Sequence, residues 1–306
     1  MDKKQAFFEF IYDRQAVWHK RNMLGLPAPW TEDIILQQFR FCNVYRELDG
    51  GTLAISRYLK DCSLPARQKL FNIIAYRFFN RRDTIDCLFG GLLNPDDFEW
   101  KVYEKRMDAI KVTQSIFSNA YLVSSHAFQP DYRRKDKHVQ ILMMLADLRA
   151  RLDEIIFSLQ QASPQDGLKI IENEVPMAGP FLAGQILLDA TYAENIVPYS
   201  SNDFLVVGPG AHWGLNIIFD ERLSKRKADE QCRYLWAVQK EGMRRLKERT
   251  GKDWLKVKWD NPDYCGGDYL SLHDVQNSLC EFRKYWRLKN GDKTKRRYYQ
   301  KDKDFV

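Results

Sequence analysis

The spacing of apolar residues predicts a chain built from α-helices. In residues 5–20 the apolar side chains recur at intervals of three and four, which places them on one side of a helix. Helical spacing also recurs over 52–59, 64–79, 95–107, 113–122, 139–159 and 274–288. The segment 254–259 alternates apolar and basic residues, which predicts either a short strand or an aromatic–basic surface. We therefore expect an all-α fold.

Two predicted helices, over 31–49 and 274–288, carry polar residues along one face. Residues 31–49 are predicted to form a helix with Thr31 as its N-cap, ended by Gly50-Gly51. Arg40, Asn43 and Glu47 fall on one side of it at spacings of three and four. The final helix repeats the pattern with Asp274, Asn277 and Glu281. Such polar stripes are ordinarily solvated helix surfaces. The stripe with Arg40, Asn43 and Glu47 could alternatively line a cleft.

Residues 167–190 have the pattern of a helix-hairpin-helix. A short apolar helix runs into the turn 175–179, and Pro180 stands where a second helix begins. Gly179 is expected to supply a backbone conformation closed to other residues, and the helix that follows offers N–H groups to a phosphate. Met177, Ala178 and Gly179, with Gly208 and Gly210 of a second glycine-rich turn, are therefore candidate DNA contacts. The alternative is an ordinary connection between helices.

Composition and charge narrow the class of protein. With 306 residues, of which 44% are hydrophobic and 13% aromatic, the chain can bury one large core or two modest ones. Residues 1–221 hold 25 Lys and Arg against 28 Asp and Glu, whereas 222–306 hold 23 against 13. This excess of positive charge predicts a polyanionic partner. The cationic candidates are Arg244 and Arg245 on a basic helix at 224–249, and Arg296 and Arg297 in the basic tail 289–306.

Neither a membrane nor a metal cofactor is expected. No run approaches 18 consecutive apolar residues, and charge interrupts the N-terminal segment too early for a signal peptide, so a cytoplasmic location is predicted. The 6 cysteines include no C-x-x-C pair, which excludes the usual zinc and iron–sulfur spacings. No repeat or low-complexity stretch separates two domains, so residues 1–306 are expected to act as one helical unit, with a weak candidate boundary near 130–138.

Two resemblances suggest a function. The hairpin and the region after it are similar to the helix-hairpin-helix DNA glycosylases, which implies a glycosylase-like fold and makes Asp203 a candidate for their essential aspartate. The lysine nucleophile of bifunctional glycosylases is absent, because Phe181 stands at its place. Five longer stretches, Pro29-Trp30-Thr31 with 40–49, Arg77-Phe78-Phe79-Asn80, 179–183, 208–211 and 277–285, resemble the alpha-glutamyl/putrescinyl thymine pyrophosphorylase family of phage amino acid:DNA transferases.

That family replaces a phosphate or pyrophosphate on the 5-methyl carbon of a thymine-derived base in DNA by an amine. The resemblance implies that Arg40, Arg46 and Arg77 hold the phosphate, that Asp203 or Glu281 is the base, and that Asn43 reads the uracil edge. Asp189 is predicted to cap a helix or form a salt bridge. The implied partners are double-stranded DNA carrying 5-phosphomethyluracil and a free amino acid or polyamine.

The same helical module resembles one shared with phage kinases that phosphorylate 5-hydroxymethyluracil in DNA. These kinases also need a Gly-x-x-x-x-Gly-Lys-Ser/Thr phosphate loop, and the sequence contains none. Two alternatives to the transferase stay open: a monofunctional glycosylase that uses Asp203 on water, and a non-catalytic DNA-binding helical module.

Overall fold

The computed structural model describes residues 2–118 and 135–292, and its regular structure there is helical. The α-helices of these ranges are α1 Lys3–Asn22, α2 Ile34–Gln38, α3 Gly50–Leu59, α4 Ala66–Phe79, α5 Trp100–Lys111, α6 Lys137–Leu148, α7 Leu152–Gln161, α8 Pro164–Glu174, α9 Pro180–Ala190, α10 Pro209–Phe219, α11 Lys225–Ala237, α12 Gln239–Thr250 and α13 Leu272–Lys289. Shorter turns of 3-10 or π-helix lie at 46–48, 84–89, 95–97, 149–151 and 254–256. The predicted all-α class is confirmed for the described residues, whereas the likeness to glycosylases stays a prediction.

The chain forms two compact units. Unit 1 consists of Met1–Asp49 and Leu205–Val306, and unit 2 of Gly50–Phe204. Each unit has a hydrophobic core of its own, as the composition allows. That residues 1–306 act as a single functional unit stays a prediction.

Unit 1 is built around α1, α10 and α13. Phe7 and Phe282 meet edge to face with ring centroids 5.4 Å apart, and both side chains are buried. Helix α10 packs closely on α13 because it presents glycines there. A Cβ atom on Gly214 would stand 2.3 Å from the carbonyl oxygen of Leu279, and one on Gly210 would stand 2.3 Å from Sγ of Cys280. These glycines therefore set how closely the two helices approach.

Unit 2 is built around α4, whose residues from Lys69 to Phe79 are all buried. Its last turn contains a buried ion pair between Arg77 and Asp189 of α9. Nε of Arg77 donates to Oδ2 of Asp189 at 2.5 Å, and Nη2 binds the other oxygen. The prediction that Asp189 forms a salt bridge is confirmed.

The predicted helix over 31–49 is wrong. The helix ends at Gln38, and its N-cap is Asp33 instead of Thr31, because the Asp33 carboxylate accepts from the N–H groups of Ile35 and Leu36. After it the chain has no α-helix up to Asp49, and four apolar side chains that do not share a helical face are buried: Phe39, Phe41, Val44 and Tyr45. Gly50 starts α3 and does not end a preceding helix.

Three other predicted elements differ from the structure. The basic helix over 224–249 divides into α11 and α12 at Val238. Residues 254–256 form a 3-10 turn with Trp254 buried, so the alternating segment is not a strand. Of the helix predicted over 113–122, residues 113–118 are turns and bends, and the remainder lies outside the described residues.

Candidate functional site

The polar residues that the sequence marked at 40–49 and 274–281 meet in unit 1. The segment 39–49, which includes the 3-10 turn at 46–48, lies against α13, and its backbone is held by side chains of that helix. The main-chain N–H of Arg46 donates to Oδ1 of Asp274 at 2.6 Å. The side-chain amide of Asn277 donates to the carbonyl of Asn43 at 3.3 Å. Because the segment is anchored by side chains from one rigid helix, its own side chains have fixed positions.

Glu281 is a further buried anchor, with 4% of its surface exposed. Its Oε2 accepts from the main-chain N–H of Cys42 at 3.1 Å, and its Oε1 accepts from Nζ of Lys284 at 2.5 Å. Both carboxylate oxygens thus have partners. The side chain of Lys284 is 43% exposed, so its ammonium group places a positive charge at the surface, next to the buried Glu281 carboxylate.

Asn43, Asp49 and Arg14 form the other side of the cluster. Oδ1 of Asp49 accepts from the main-chain N–H of Asn43 at 2.8 Å. Nη2 of Arg14 donates to Oδ1 of Asn43 at 2.7 Å and to the carbonyl of Phe41 at 3.1 Å. The side-chain amide of Asn43 donates to the carbonyl of Leu48, so the Asn43 side chain is held from both ends.

Arg46 lies beside Asp49 in this cluster. Its Nη1 stands 3.8 Å from Oδ2 of Asp49, and its side chain is largely buried. Asp274, which holds the Arg46 backbone, is itself fixed by the Ser271 capping box at the start of α13 and by the hydroxyl of Tyr264. The cluster therefore has a second layer of hydrogen bonds behind it, which keeps functional groups in place.

The cluster perturbs the titration of its members. Burial raises the pKa of Asp49 to about 6, although Arg46 and the Asn43 N–H act in the opposite direction. Desolvation of its sulfur also raises the pKa of the Cys42 thiol well above its usual value, although the residue as a whole is exposed, and the nearby carboxylates add to this. A carboxyl group that titrates near neutral pH is suited to exchange protons with a substrate.

The charge of the cluster depends on Asp49. Arg14, Arg46 and Lys284 are cationic, while Asp49, Asp274 and Glu281 are acidic, so the charges balance when all three carboxylates are ionised. Protonation of Asp49 leaves one positive charge in excess. A site with this balance favours an anion such as a phosphate.

Sequence reasoning named Asn43, Arg46 and Glu281 but gave no role to Arg14, Asp49 or Lys284. Asp49 and Lys284 stand inside the quoted motifs, so the motifs themselves were the available signal. Arg14 lies on α1 and contacts the segment through an interaction between residues 29 positions apart. Nothing in the local pattern of α1 marks it.

The other two arginines predicted to bind phosphate are outside the buried cluster. Arg40 is exposed, near the start of the segment 39–49. Arg77 belongs to unit 2, where its side chain is 3% exposed and bound to Asp189. A bidentate partner already satisfies this guanidinium, so Arg77 is poorly placed to bind a phosphate.

Met177, Ala178 and Gly179 form the turn between α8 and α9, as the helix-hairpin-helix pattern predicts. The expected role of Gly179 is wrong, because this residue has an ordinary φ of −62° as the N-cap of α9. The left-handed residue is instead Met177, with a φ of +68°. Gly179 is exposed, and a Cβ atom built on it would have no atom within 4 Å. DNA contact by this turn stays a prediction.

Asp203 belongs to unit 2 and closes a local turn. Its Oδ2 accepts from the main-chain N–H of Ser200 at 2.7 Å and from the Ser200 hydroxyl at 2.9 Å. The residue is exposed, while Phe204 next to it is buried. The structure gives Asp203 a structural partner, and its catalytic role stays a prediction.

The remaining DNA-binding candidates have varied surroundings. Gly208 is the N-cap of α10, whereas Gly210 faces Cys280 of α13. Arg244 forms hydrogen bonds with Glu241 and Glu248, and Arg245 with Glu241, so acidic neighbours offset both charges. Such exposed pairs are weak and rearrange at little cost. Arg296, Arg297 and nearly all of the basic tail lie outside the described residues.

Within residues 2–118 and 135–292, no helix combines the length and apolar character that crossing a bilayer requires.

The family model described as "5-hmdU DNA kinase, helical domain" matches residues 2–295 of the chain. A 5-hmdU DNA kinase of Bacillus phage SP10 is 25% identical to it over 300 residues, which cover 92% of this chain and 44% of the kinase. The chain thus spans less than half the length of this relative. No solved structure matches the chain.

Proposed function

The chain belongs to the family of the 5-hmdU DNA kinase helical domain, and from this membership we propose that it modifies a thymine-derived base in DNA. In the proposed reaction, an amine replaces the phosphate of 5-phosphomethyluracil in double-stranded DNA. The amine is a free amino acid such as glycine, or a polyamine. The observation that carries the proposal is the convergence of Asn43, Arg46 and Glu281 in one cluster of charged and polar side chains in unit 1.

The bond changes define what the site has to do. The bond between the methylene carbon and the phosphate oxygen breaks, and the phosphate leaves with the electron pair. A bond forms between the methylene carbon and the amine nitrogen, which then gives a proton to a base. The site must therefore neutralise a departing phosphate, accept a proton, and receive a base swung out of the duplex.

Arg46 and Lys284 are suited to the first task. A guanidinium binds phosphate oxygens through paired N–H groups, and the Lys284 ammonium adds a charge at the exposed side of the cluster. Arg40, which is exposed in the segment 39–49, is a further candidate to bind the phosphate of the modified base or the neighbouring DNA backbone.

Asp49 is the cluster residue best suited to take the proton. Its pKa of about 6 lies close to the pH at which such a group exchanges protons efficiently. Both carboxylate oxygens of Glu281 accept hydrogen bonds, from Cys42 and Lys284, so in this proposal Glu281 positions the segment 39–49. Asp203 of unit 2 is kept as the alternative base, on the strength of the glycosylase resemblance. Asn43 is proposed to lie next to the uracil edge.

The turn 175–179 of unit 2 is proposed to bind the DNA backbone. It leads into α9, an 11-residue helix whose N-terminal end attracts phosphate. Arg244, Arg245 and the basic tail with Arg296 and Arg297 would add sequence-independent attraction.

The kinase relative favours one other function, that of a DNA-binding helical module without catalysis. The chain corresponds to less than half of that relative, and its own 306 residues contain no phosphate-binding loop of the kinase type. A monofunctional glycosylase that uses Asp203 on water is the remaining alternative.

One assay separates the three functions. Duplex DNA containing 5-phosphomethyluracil is incubated with the chain and mixed amines, then digested to nucleosides and analysed by mass spectrometry. The transferase yields an aminated nucleoside and free phosphate, whereas a glycosylase yields an abasic site. DNA that is bound but chemically unchanged would contradict the proposal and favour the module. DNA carrying 5-hydroxymethyluracil is the matched control and should stay unmodified.

A further inference from the structure

A group of metal-ligating side chains lies in unit 2, apart from the residues that the proposed function uses. Asp108 is on α5, Asp136 is the N-cap residue of α6, and His138 is in the first turn of α6. One ligand atom from each of the three lies within 4.8 Å of the others. Ligand atoms bound to one ion at metal–ligand distances of about 2.0–2.2 Å must lie this close together.

His138 is what distinguishes this group from an ordinary surface acidic cluster. Its side chain is 2% exposed, and Nε2 is directed at Asp108, 2.9 Å from Oδ1. Despite that distance the two atoms do not meet hydrogen-bond geometry, and within the described residues Nε2 has no hydrogen-bond partner. A buried ring nitrogen without a partner costs free energy, and an ion between it and the carboxylate would remove that cost.

Asp136 has an unusual orientation for its position. A carboxylate at an N-cap normally accepts from the first N–H groups of its own helix, but the Asp136 side chain makes no such bond. It is paired instead with Lys111 of α5. The Lys111 ammonium already holds a positive charge beside this carboxylate, which shows that the position favours a cation.

We propose that Asp108, Asp136 and His138 bind a first-row divalent metal ion, with Zn²⁺ as the best match. One imidazole and two carboxylates are a nitrogen–oxygen donor set that suits Zn²⁺ and its neighbours, whereas Mg²⁺ and Ca²⁺ prefer oxygen ligands alone. The cysteine spacing that excludes the usual zinc motifs does not bear on this site, since it uses no thiol. The ion would join α5 to α6, and Lys111 would have to release Asp136.

Binding can be measured on the full chain with Co²⁺, which reports its ligands by absorption, followed by displacement with Zn²⁺. We expect one Co²⁺ with weak visible bands typical of nitrogen and oxygen ligands, and a thermal midpoint that rises as the ion is added. His138→Gln should weaken Co²⁺ binding by about 10–100-fold or more, because losing a ligand costs at least as much as losing an outer hydrogen bond to one.

Asp108 and Asp136 have more than half of their side chains exposed, so the pair Asp108→Asn with Asp136→Asn tests the site even if the buried His138 does not tolerate change. This double variant should also lose Co²⁺ binding. Asp166→Asn is the matched control, because Asp166 is an exposed aspartate of unit 2 paired with Lys169 at 2.9 Å, and it should bind Co²⁺ as the unmodified chain does.

Lys111→Gln gives a test of opposite sign. Removing the competing ammonium should tighten Co²⁺ binding by about two- to fivefold, which is what breaking an exposed ion pair is worth. Unchanged Co²⁺ affinity in both the His138 and the double aspartate variants would overturn the proposal. So would an intense thiolate-to-cobalt absorption band at the first equivalent, which would assign the ion to cysteines.

Discussion

The main-chain N–H of Cys42 donates a hydrogen bond of 3.1 Å to Oε2 of Glu281, across 239 positions of sequence. This bond and the neighbouring one from Arg46 to Asp274 attach the segment 39–49 to α13. Glu281 therefore determines where Cys42 and Asn43 lie. It also binds the ammonium group of Lys284 and so fixes where that positive charge lies. The proposed site depends on this attachment.

Asp49→Asn should change how stability depends on pH. Because the pKa of Asp49 is raised from 3.8 to about 6 in the folded chain, the folded state holds this proton more tightly than the unfolded state. The Asp49 contribution to stability is therefore present below pH 3.8 and is lost as the pH rises to about 6. At pH 8 the variant should be more stable by up to about 3 kcal/mol.

Urea unfolding at pH 4 and pH 8 measures the difference. At pH 4 the two proteins should differ little, since Asp49 is then mostly neutral in the folded state. Equal stability of the two proteins at both pH values, or a variant that is less stable at pH 8, would show that the ionised Asp49 carboxylate does not destabilise the folded state. In the transfer assay the same variant should lose product while DNA binding persists.

Gly210→Ala separates a packing role from a DNA-binding role. The added Cβ would stand 2.3 Å from Sγ of Cys280, so either the Cys280 side chain must shift or α10 and α13 must move apart. We expect a loss of about 1–3 kcal/mol in the free energy of unfolding. Cys280→Ala in the same chain should restore part of it, because it removes the nearest atom. If Gly210→Ala keeps its stability but loses DNA affinity, Gly210 contacts DNA and does not serve the helix packing.

Gly179→Ala should have the opposite profile. Gly179 has an ordinary φ of −62°, and a Cβ there would meet no atom within 4 Å, so stability should change by less than about 0.5 kcal/mol. If a DNA phosphate approaches this backbone, the methyl group blocks it, and affinity should fall by about tenfold or more. Unchanged affinity in a fluorescence anisotropy titration would remove the hairpin from the DNA interface. Gly251→Ala, outside both proposed sites, is a control for affinity only, since its φ of +75° affects stability.

The pair Arg77 and Asp189 should behave as a buried structural unit. Arg77→Met or Asp189→Leu alone leaves one buried charge without its partner, and each should cost about 3–5 kcal/mol. The combination of Arg77→Met with Asp189→Leu should cost clearly less than the sum of the single changes. Additive costs in guanidinium unfolding would show that the two groups do not stabilise each other, which would return Arg77 to the candidates for phosphate binding.

The sequence was sufficient for the helices whose apolar residues recur at helical spacing, and α1, α4 and α13 lie where the pattern predicts them. It failed at 39–49, because burial of Phe39, Phe41, Val44 and Tyr45 against unit 1 overrides a local pattern that is compatible with a helix. Tertiary contacts decide such segments, and periodicity does not contain them. The split at Val238 likewise has no signal of the glycine or proline kind.

The candidate site was predicted in part for the same reason. Asn43, Arg46 and Glu281 were found through their motifs, although the first two do not lie on the predicted helix. The predicted solvated stripe on α13 is wrong for Asp274 and Glu281, which are buried because they anchor the segment 39–49. Arg14 and the role of Asp49 become visible only when the distant segments are placed together.

The most direct test of the central claim compares the affinity of the chain for duplexes that differ in one group, 5-phosphomethyluracil against 5-hydroxymethyluracil. The unmodified chain should prefer the phosphorylated base. Arg46→Met should abolish most of that preference while its affinity for ordinary DNA stays the same, and Arg244→Met, outside the cluster, should keep the preference. An Arg46 variant that still discriminates the two duplexes as the unmodified chain does would contradict the assignment of the phosphate site to the segment 39–49 and α13.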